Sequence, residues 1–158
     1  MPTLTSFSRP AAIAAVALGL VVAGCGSNSD KNDYVKHVNA AIASLTKSLS
    51  DAGGALSSGD PGAAAAAKFE AGSRAMDKAS ADFKKLSPPS DAKDANAKIV
   101  DGFHKLAGNF HDMAKQARSK DLAGLTKALT AFETSDGAQE IQKAQDELAA
   151  AGYKIQGS

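Results

Sequence analysis

The sequence predicts an all-α domain, an antiparallel four-helix bundle, and three observations carry that prediction. Apolar residues recur at alternating intervals of three and four in successive segments, the spacing that lines one face of a helix. Much of the 44% hydrophobic fraction is alanine, the residue with the highest helix propensity. No segment alternates apolar and polar residues over the length of a strand. The breaks between segments are short, which favours antiparallel neighbours.

The first stripe is Val35, Val38, Ile42, Leu45, Leu49, Ala52 and Leu56. Gly53-Gly54 and Ser57-Ser58-Gly59 weaken and end that helix, because helical glycine costs about 1 kcal/mol relative to alanine. Asp60-Pro61 is a start signal: an Asp N-cap accepts orphan amide hydrogens, and proline at the first helical position loses no bond. The second stripe is Phe69, Gly72, Met76, Ala79, Phe83 and Leu86. It stops ahead of Pro88-Pro89, since the residue before a proline avoids helical angles.

Ser90 is the expected cap of the third helix, whose stripe is Ala92, Ala95, Ile99, Phe103, Leu106, Phe110, Met113 and Ala117. A polar turn at Arg118-Ser119-Lys120 leads to Leu122, Leu125, Leu129 and Phe132. Thr134-Ser135-Asp136-Gly137 reads as a kink or break, after which Ile141, Ala144 and Leu148 resume in a shifted register. Gly152 is a C-terminal cap. Tyr153 and Ile155 are expected to pack back across the bundle end.

Ahead of the bundle the chain changes character. Met1–Pro10 is polar with one positive charge, Arg9, and Ala11–Val22 is an apolar run of 12 residues. With the small pair Ala23-Gly24 this is the three-part layout of a secretory signal. The apolar run is well short of the roughly 20 residues that a spanning helix needs. It closes on Val22-Ala23-Gly24-Cys25, which holds the single cysteine of the sequence. A lone cysteine in an exported chain has no internal disulfide partner.

These four residues resemble the lipobox of bacterial lipoproteins. The resemblance implies cleavage between Gly24 and Cys25 and lipidation of Cys25 by diacylglycerol, with acyl chains such as palmitate. It implies a protein anchored by lipid to the cell membrane, on its extracytoplasmic face. Two acyl chains anchor stably where one binds marginally. Gly26 to Asp33 holds no apolar residue and reads as a flexible tether. The expected organisation is a signal peptide at 1–24, the lipidated cysteine and tether at 25–33, and the bundle at 34–158. The chain also resembles small helical lipoproteins of high-GC Gram-positive bacteria, through Pro88-Pro89 between the middle helices and Ala151-Gly152-Tyr153 near the end. That resemblance implies a source and carries no activity.

Processing before Cys25 removes Arg9 and no acid, leaving 17 basic residues against 17 acidic ones. Such a balance supplies no electrostatic drive toward nucleic acid. The expected partners are the lipid bilayer, through diacylglyceryl-Cys25, and an envelope protein.

His104 and His111 are the sharpest metal candidates, and weak ones. Seven residues apart, they stand about 10.5 Å apart along a helix, whereas ligands of one ion on a helix sit three or four apart. Each follows a core position, Phe103 or Phe110, so each is expected toward solvent. Asp101, Asp112 and His37 could join them across helices. No Glu-x-x-His of the di-metal bundles occurs; the nearest pattern is Asp101-Gly102-Phe103-His104. Met76, Met113 and the phenylalanines read as core. Gly72, Gly102, Gly108 and Gly124 read as points of close helix approach or as room for a ligand. Gly53-Gly54 and Gly59-x-x-Gly62 lack the strand-loop-helix setting of a phosphate loop.

No group is arranged for acid–base or nucleophilic work, so neither an enzyme nor a cofactor is expected. The expected function is a non-catalytic binding or interaction module of the cell envelope. The alternative is a carrier of a small hydrophobic ligand or a metal within the bundle. A carrier demands an apolar cavity of a few hundred Å3, an interaction module an exposed apolar patch.

Overall fold

Among the described residues five α-helices follow one another: α1 (Ser29–Ser57), α2 (Ala63–Lys85), α3 (Lys93–Arg118), α4 (Leu122–Phe132) and α5 (Asp136–Ala150). The computed structural model describes residues 29–57 and 62–155, and these are all-helical with no strand among them. The signal segment, Cys25 with its cleavage site, and the Asp60-Pro61 start signal lie outside the described residues.

Each boundary has a local cause. Ser29–Asp33, expected as tether, is instead the first part of α1. Asp30 complements the helix dipole in the first turn. The Lys31 ammonium lies 2.5 Å from Asp91 and 4.7 Å over the Tyr153 ring, which ties that turn to the opposite end of the chain. α2 begins at Ala63, with Gly62 in the N-cap position and no side-chain cap bond. It ends at Lys85, where Leu86 is already extended (φ −68°, ψ 151°).

Ser90 does not cap α3. It opens a 3-10 turn, Ser90–Ala92, closed by the Ala92 N–H donating to Pro89 O at 2.9 Å. α3 then starts with Ala92 in the N-cap position and no side-chain bond. The extended Pro89 (φ −51°, ψ 153°) places this extra turn between the prolines and the helix.

The fourth segment is broken rather than kinked. Asp121 caps α4 by accepting the Gly124 N–H at 2.8 Å, and Ser135 caps α5 by accepting the Ala138 N–H at 3.4 Å. α5 closes as expected at Gly152, whose φ of 82° lets Gly152 N–H reach Ala149 O at 3.0 Å and Tyr153 N–H reach Leu148 O at 2.9 Å. Two bonds of this kind satisfy the last carbonyls of a helix. The reversal buries Tyr153 and Ile155.

α3 is the centre of the fold, in contact with α2, α4 and α5, while α1 lies on α2. All eight residues of its expected stripe, from Ala92 to Ala117, are buried. Phe83 stacks on Phe103 at 6.0 Å, and Phe110 meets Phe69 at 6.3 Å and Phe132 edge-on at 5.5 Å. Burying a side chain of this size stabilises by roughly 1.5–3 kcal/mol.

Three polar residues enter between α2 and α3 with their bonds made. Ser73 donates to Ala107 O at 2.9 Å, Ser80 to Val100 O at 2.9 Å, and Asn96 Nδ2 to Phe83 O at 3.3 Å. Two stripe expectations are corrected. On α1 the buried positions are Tyr34, Val38, Ala41 and Ala52, with Val35, Ile42, Leu45 and Leu49 half-buried, because α1 is covered chiefly from the α2 side. Leu122, expected in the core, is 55% exposed; it is the first residue of a short helix that packs mainly on α3.

Candidate functional site

An open groove of about 330 Å3 runs between α1 and α2. Its floor is apolar, from buried Ala41 on α1 and buried Phe83 on α2, and half-buried Ala75 and Ala79 form one wall. The small side chains leave the space: α1 and α2 face each other there through alanines. His37, Lys78 and Asp82 stand exposed on the rim. A second hollow of about 190 Å3 shares His37 and Leu86 with the groove and continues it toward the start of α1, past Asp30, Asp33, Tyr34 and Ser87.

The rim charges are matched by neighbours on their own helices. Lys78 pairs with Asp82, and Lys36 with Asp33 at 2.7 Å. The bond from Lys78 holds the Asp82 carboxyl below the usual range, and the bond from Lys36 does the same for Asp33. The His37 side chain adds a smaller lowering to both carboxyls, so it stands near an acid of its own helix and one of α2. A site of this kind can hold an apolar body along its floor and a polar group at its rim.

At the α1 end of the groove five residues, Lys31, Tyr34, Asp91, Asn96 and Tyr153, form a clip. Tyr34 OH donates to Asn96 Oδ1 at 3.2 Å, and the Tyr34 ring meets those of Tyr153 at 6.0 Å and Phe83 at 6.3 Å, both edge-on. Asp91 accepts from Lys31 at 2.5 Å and from Tyr153 OH at 2.6 Å. Those two bonds, the lysine's first, hold the Asp91 carboxyl below its ordinary value. Burial raises the Tyr34 phenol well above its ordinary value, and burial followed by the bond to Asp91 does so for Tyr153.

None of Lys31, Tyr34, Asp91 and Asn96 was legible as a site in the sequence. The one available signal is that Tyr34 stands four residues before Val38, the helical spacing of a shared face.

The histidines are not brought together. The His104 side chain is 79% exposed, with Nδ1 3.5 Å from Asp77 Oδ1. His111 and Asp101 are exposed, Asp112 pairs with Lys115 at 3.1 Å, and His37 belongs to the groove. Among the described residues no group of three or more His, Cys, Asp or Glu could hold a metal ion, and no helix is long and apolar enough to cross a membrane. Between α1, α3 and α5 the space beside Phe103 and Ile141 measures about 10 Å3, room for about one water.

No family model, no curated protein and no solved structure matches this chain.

Proposed function

We propose that this chain is a bacterial lipoprotein, held to the extracytoplasmic face of the cell membrane by diacylglyceryl-Cys25, whose helical domain is a non-catalytic binding module. The observation that carries the binding role is the α1–α2 groove, an open site with an apolar floor and charge-paired rim. Its volume lies at the small end of the range for ligand sites, about 300–1,000 Å3. A ligand in this reading lies in the groove rather than in the core, where the space beside Phe103 is about 10 Å3.

The domain is read as an antiparallel four-helix bundle in which α4 and α5 divide the fourth position. Pairings between α2 and α3 support that arrangement: Ser73 meets Ala107, and Ser80 meets Val100. Those between α3 and α5 agree, with Lys98 on Glu147 at 2.8 Å and Gly102 beside Ile141. In both cases the partner number falls as the first one rises.

Two measurements test the proposal. Cys25→Ser should lose lipid labelling and leave the membrane fraction; retention there would show that Cys25 is not the anchor. Native mass spectrometry of the gently extracted protein should show a small-molecule adduct or a protein partner on the folded domain. A bare monomer under every extraction condition would sink the binding role.

A further inference from the structure

We infer that the α1–α2 groove takes a single acyl chain of a lipid from the leaflet that holds the protein, entering at the start of α1. The inference rests on the lipoprotein reading above and adds the ligand class and the way in.

Chain length sets the position of the groove. Because α1 is helical from Ser29, three residues separate it from Cys25. At about 3.3–3.6 Å per residue, Ser29 lies within roughly 14 Å of the lipidated cysteine. The hollow lined by Asp30, Asp33 and Tyr34 therefore opens on the side of the domain nearest the anchor and leads past His37 into the main groove. The clip keeps this mouth in place: Lys31 on Asp91 and Tyr34 on Asn96 dock the first two turns of α1.

Dimensions and charge select the occupant. From Asp30 to Ser44 the lining of α1 extends about 21 Å at 1.5 Å per residue. One leaflet of a roughly 30 Å hydrocarbon core holds acyl chains about 15 Å deep, so the trough is long enough for one chain. The floor, Ala41 and Phe83 with Ala79 beside them, offers no buried donor or charge for a polar ligand to bond. Lys78 pairs with Asp82 on the rim and Lys36 with Asp33 at the mouth, so these four charges cancel in pairs. The mouth is polar and suits a headgroup left at the surface. An apolar chain ending in a polar group fits both parts.

The test uses the processed full-length protein reconstituted into phosphatidylglycerol vesicles containing phosphatidylcholine with a diazirine midway along one acyl chain. After flotation and photolysis, label is mapped by mass spectrometry. Label is expected on groove residues of both helices, such as Ala41 and Ala79. It should fall at least tenfold in Ala79→Met and in Ser44→Leu, which fill the trough from opposite walls and are each checked for native helicity. Protein that floats with the vesicles but is labelled no further than Lys31 overturns the groove as the acyl site and leaves the anchor standing. Label that persists in both filled variants overturns it equally. Processed protein that fails to float overturns the anchor and this inference together.

Discussion

Gly102 and Gly137 stand back to back where α3 crosses α5. A Cβ on Gly102 would come 3.0 Å from the Gly137 carbonyl oxygen, and one on Gly137 would come 2.9 Å from that of Gly102. Each glycine is thus the reason that the other helix can come so close.

Gly102→Ala should destabilise the domain. Its methyl would also meet Ile141 Cγ1 at 2.8 Å and Cδ1 at 2.9 Å, and backbone on one side cannot move away cheaply. Overpacking of this kind costs about 1–3 kcal/mol, against which about 1 kcal/mol of helix propensity is regained. Gly108→Ala is the control, because a Cβ there meets nothing within 4 Å, and it should stabilise by about 0.4–1 kcal/mol. Urea unfolding followed at 222 nm separates the two, and equal midpoints would refute the close approach.

Gln116→Met should stabilise. Among the described residues, Gln116 Oε1 is the buried side-chain polar atom with no hydrogen-bond partner. An unsatisfied acceptor costs about 1–3 kcal/mol, and methionine has nearly the same shape without it. A gain of about 1 kcal/mol in thermal or urea unfolding is the expected result; a loss would mean that the oxygen has a partner in solution.

The two tyrosines should stay un-ionised until the domain opens. Both phenols are raised above their ordinary value of 10.0. A raised acid contributes stability that is complete below the unfolded pKa and is lost as pH rises toward the folded one. Absorbance at 295 nm should therefore rise together with the loss of helical signal, above pH 10. Phenolate formation near pH 10 in a fully helical protein would contradict the burial of Tyr34 and Tyr153.

On the acid side, Asp91 is one source of pH dependence. Its carboxyl is lowered by the bond from Lys31 and then by that from Tyr153. The stability it contributes is present above the ordinary value of 3.8 and disappears as pH falls through the lower, folded one. Asp91→Asn should be less stable at pH 7 and lose less than the native chain below pH 4. Parallel acid limbs in the two proteins would remove Asp91 from the account. Asp33, Asp51 and Asp82, each lowered first by a lysine on its own helix, should preserve part of the slope.

Zinc should find no shared site at His104 and His111. His104→Gln and His111→Gln should leave zinc titration heats and melting temperature unchanged, since the first side chain faces Asp77 in solvent and the second is exposed. A zinc-dependent rise in melting temperature that either substitution abolishes would reopen the metal reading.

The helical segments and the apolar stripe of α3 were legible in the amino-acid sequence, although Asn96, Gly102, Ala107 and Ala114, buried beside that stripe, were not. Large apolar side chains at spacings of three and four can be satisfied only by packing, so Ile99, Phe103, Leu106, Phe110 and Met113 were legible before any fold was known. The sequence also determined the glycine stop at Gly152, which a left-handed backbone requires. Which face of α1 is buried followed from packing, because Tyr34 and Val35 are both candidates until α2 and the Tyr153 tail cover one of them. The same holds for Ser80 and Asn96, polar residues that become core when a carbonyl of the neighbouring helix accepts their hydrogen. Glycines alike in sequence were also separated there: Gly102 stands at a crossing and Gly108 faces open space. The groove depends on where two helices leave alanines opposite each other, a relation between distant segments that no local spacing encodes.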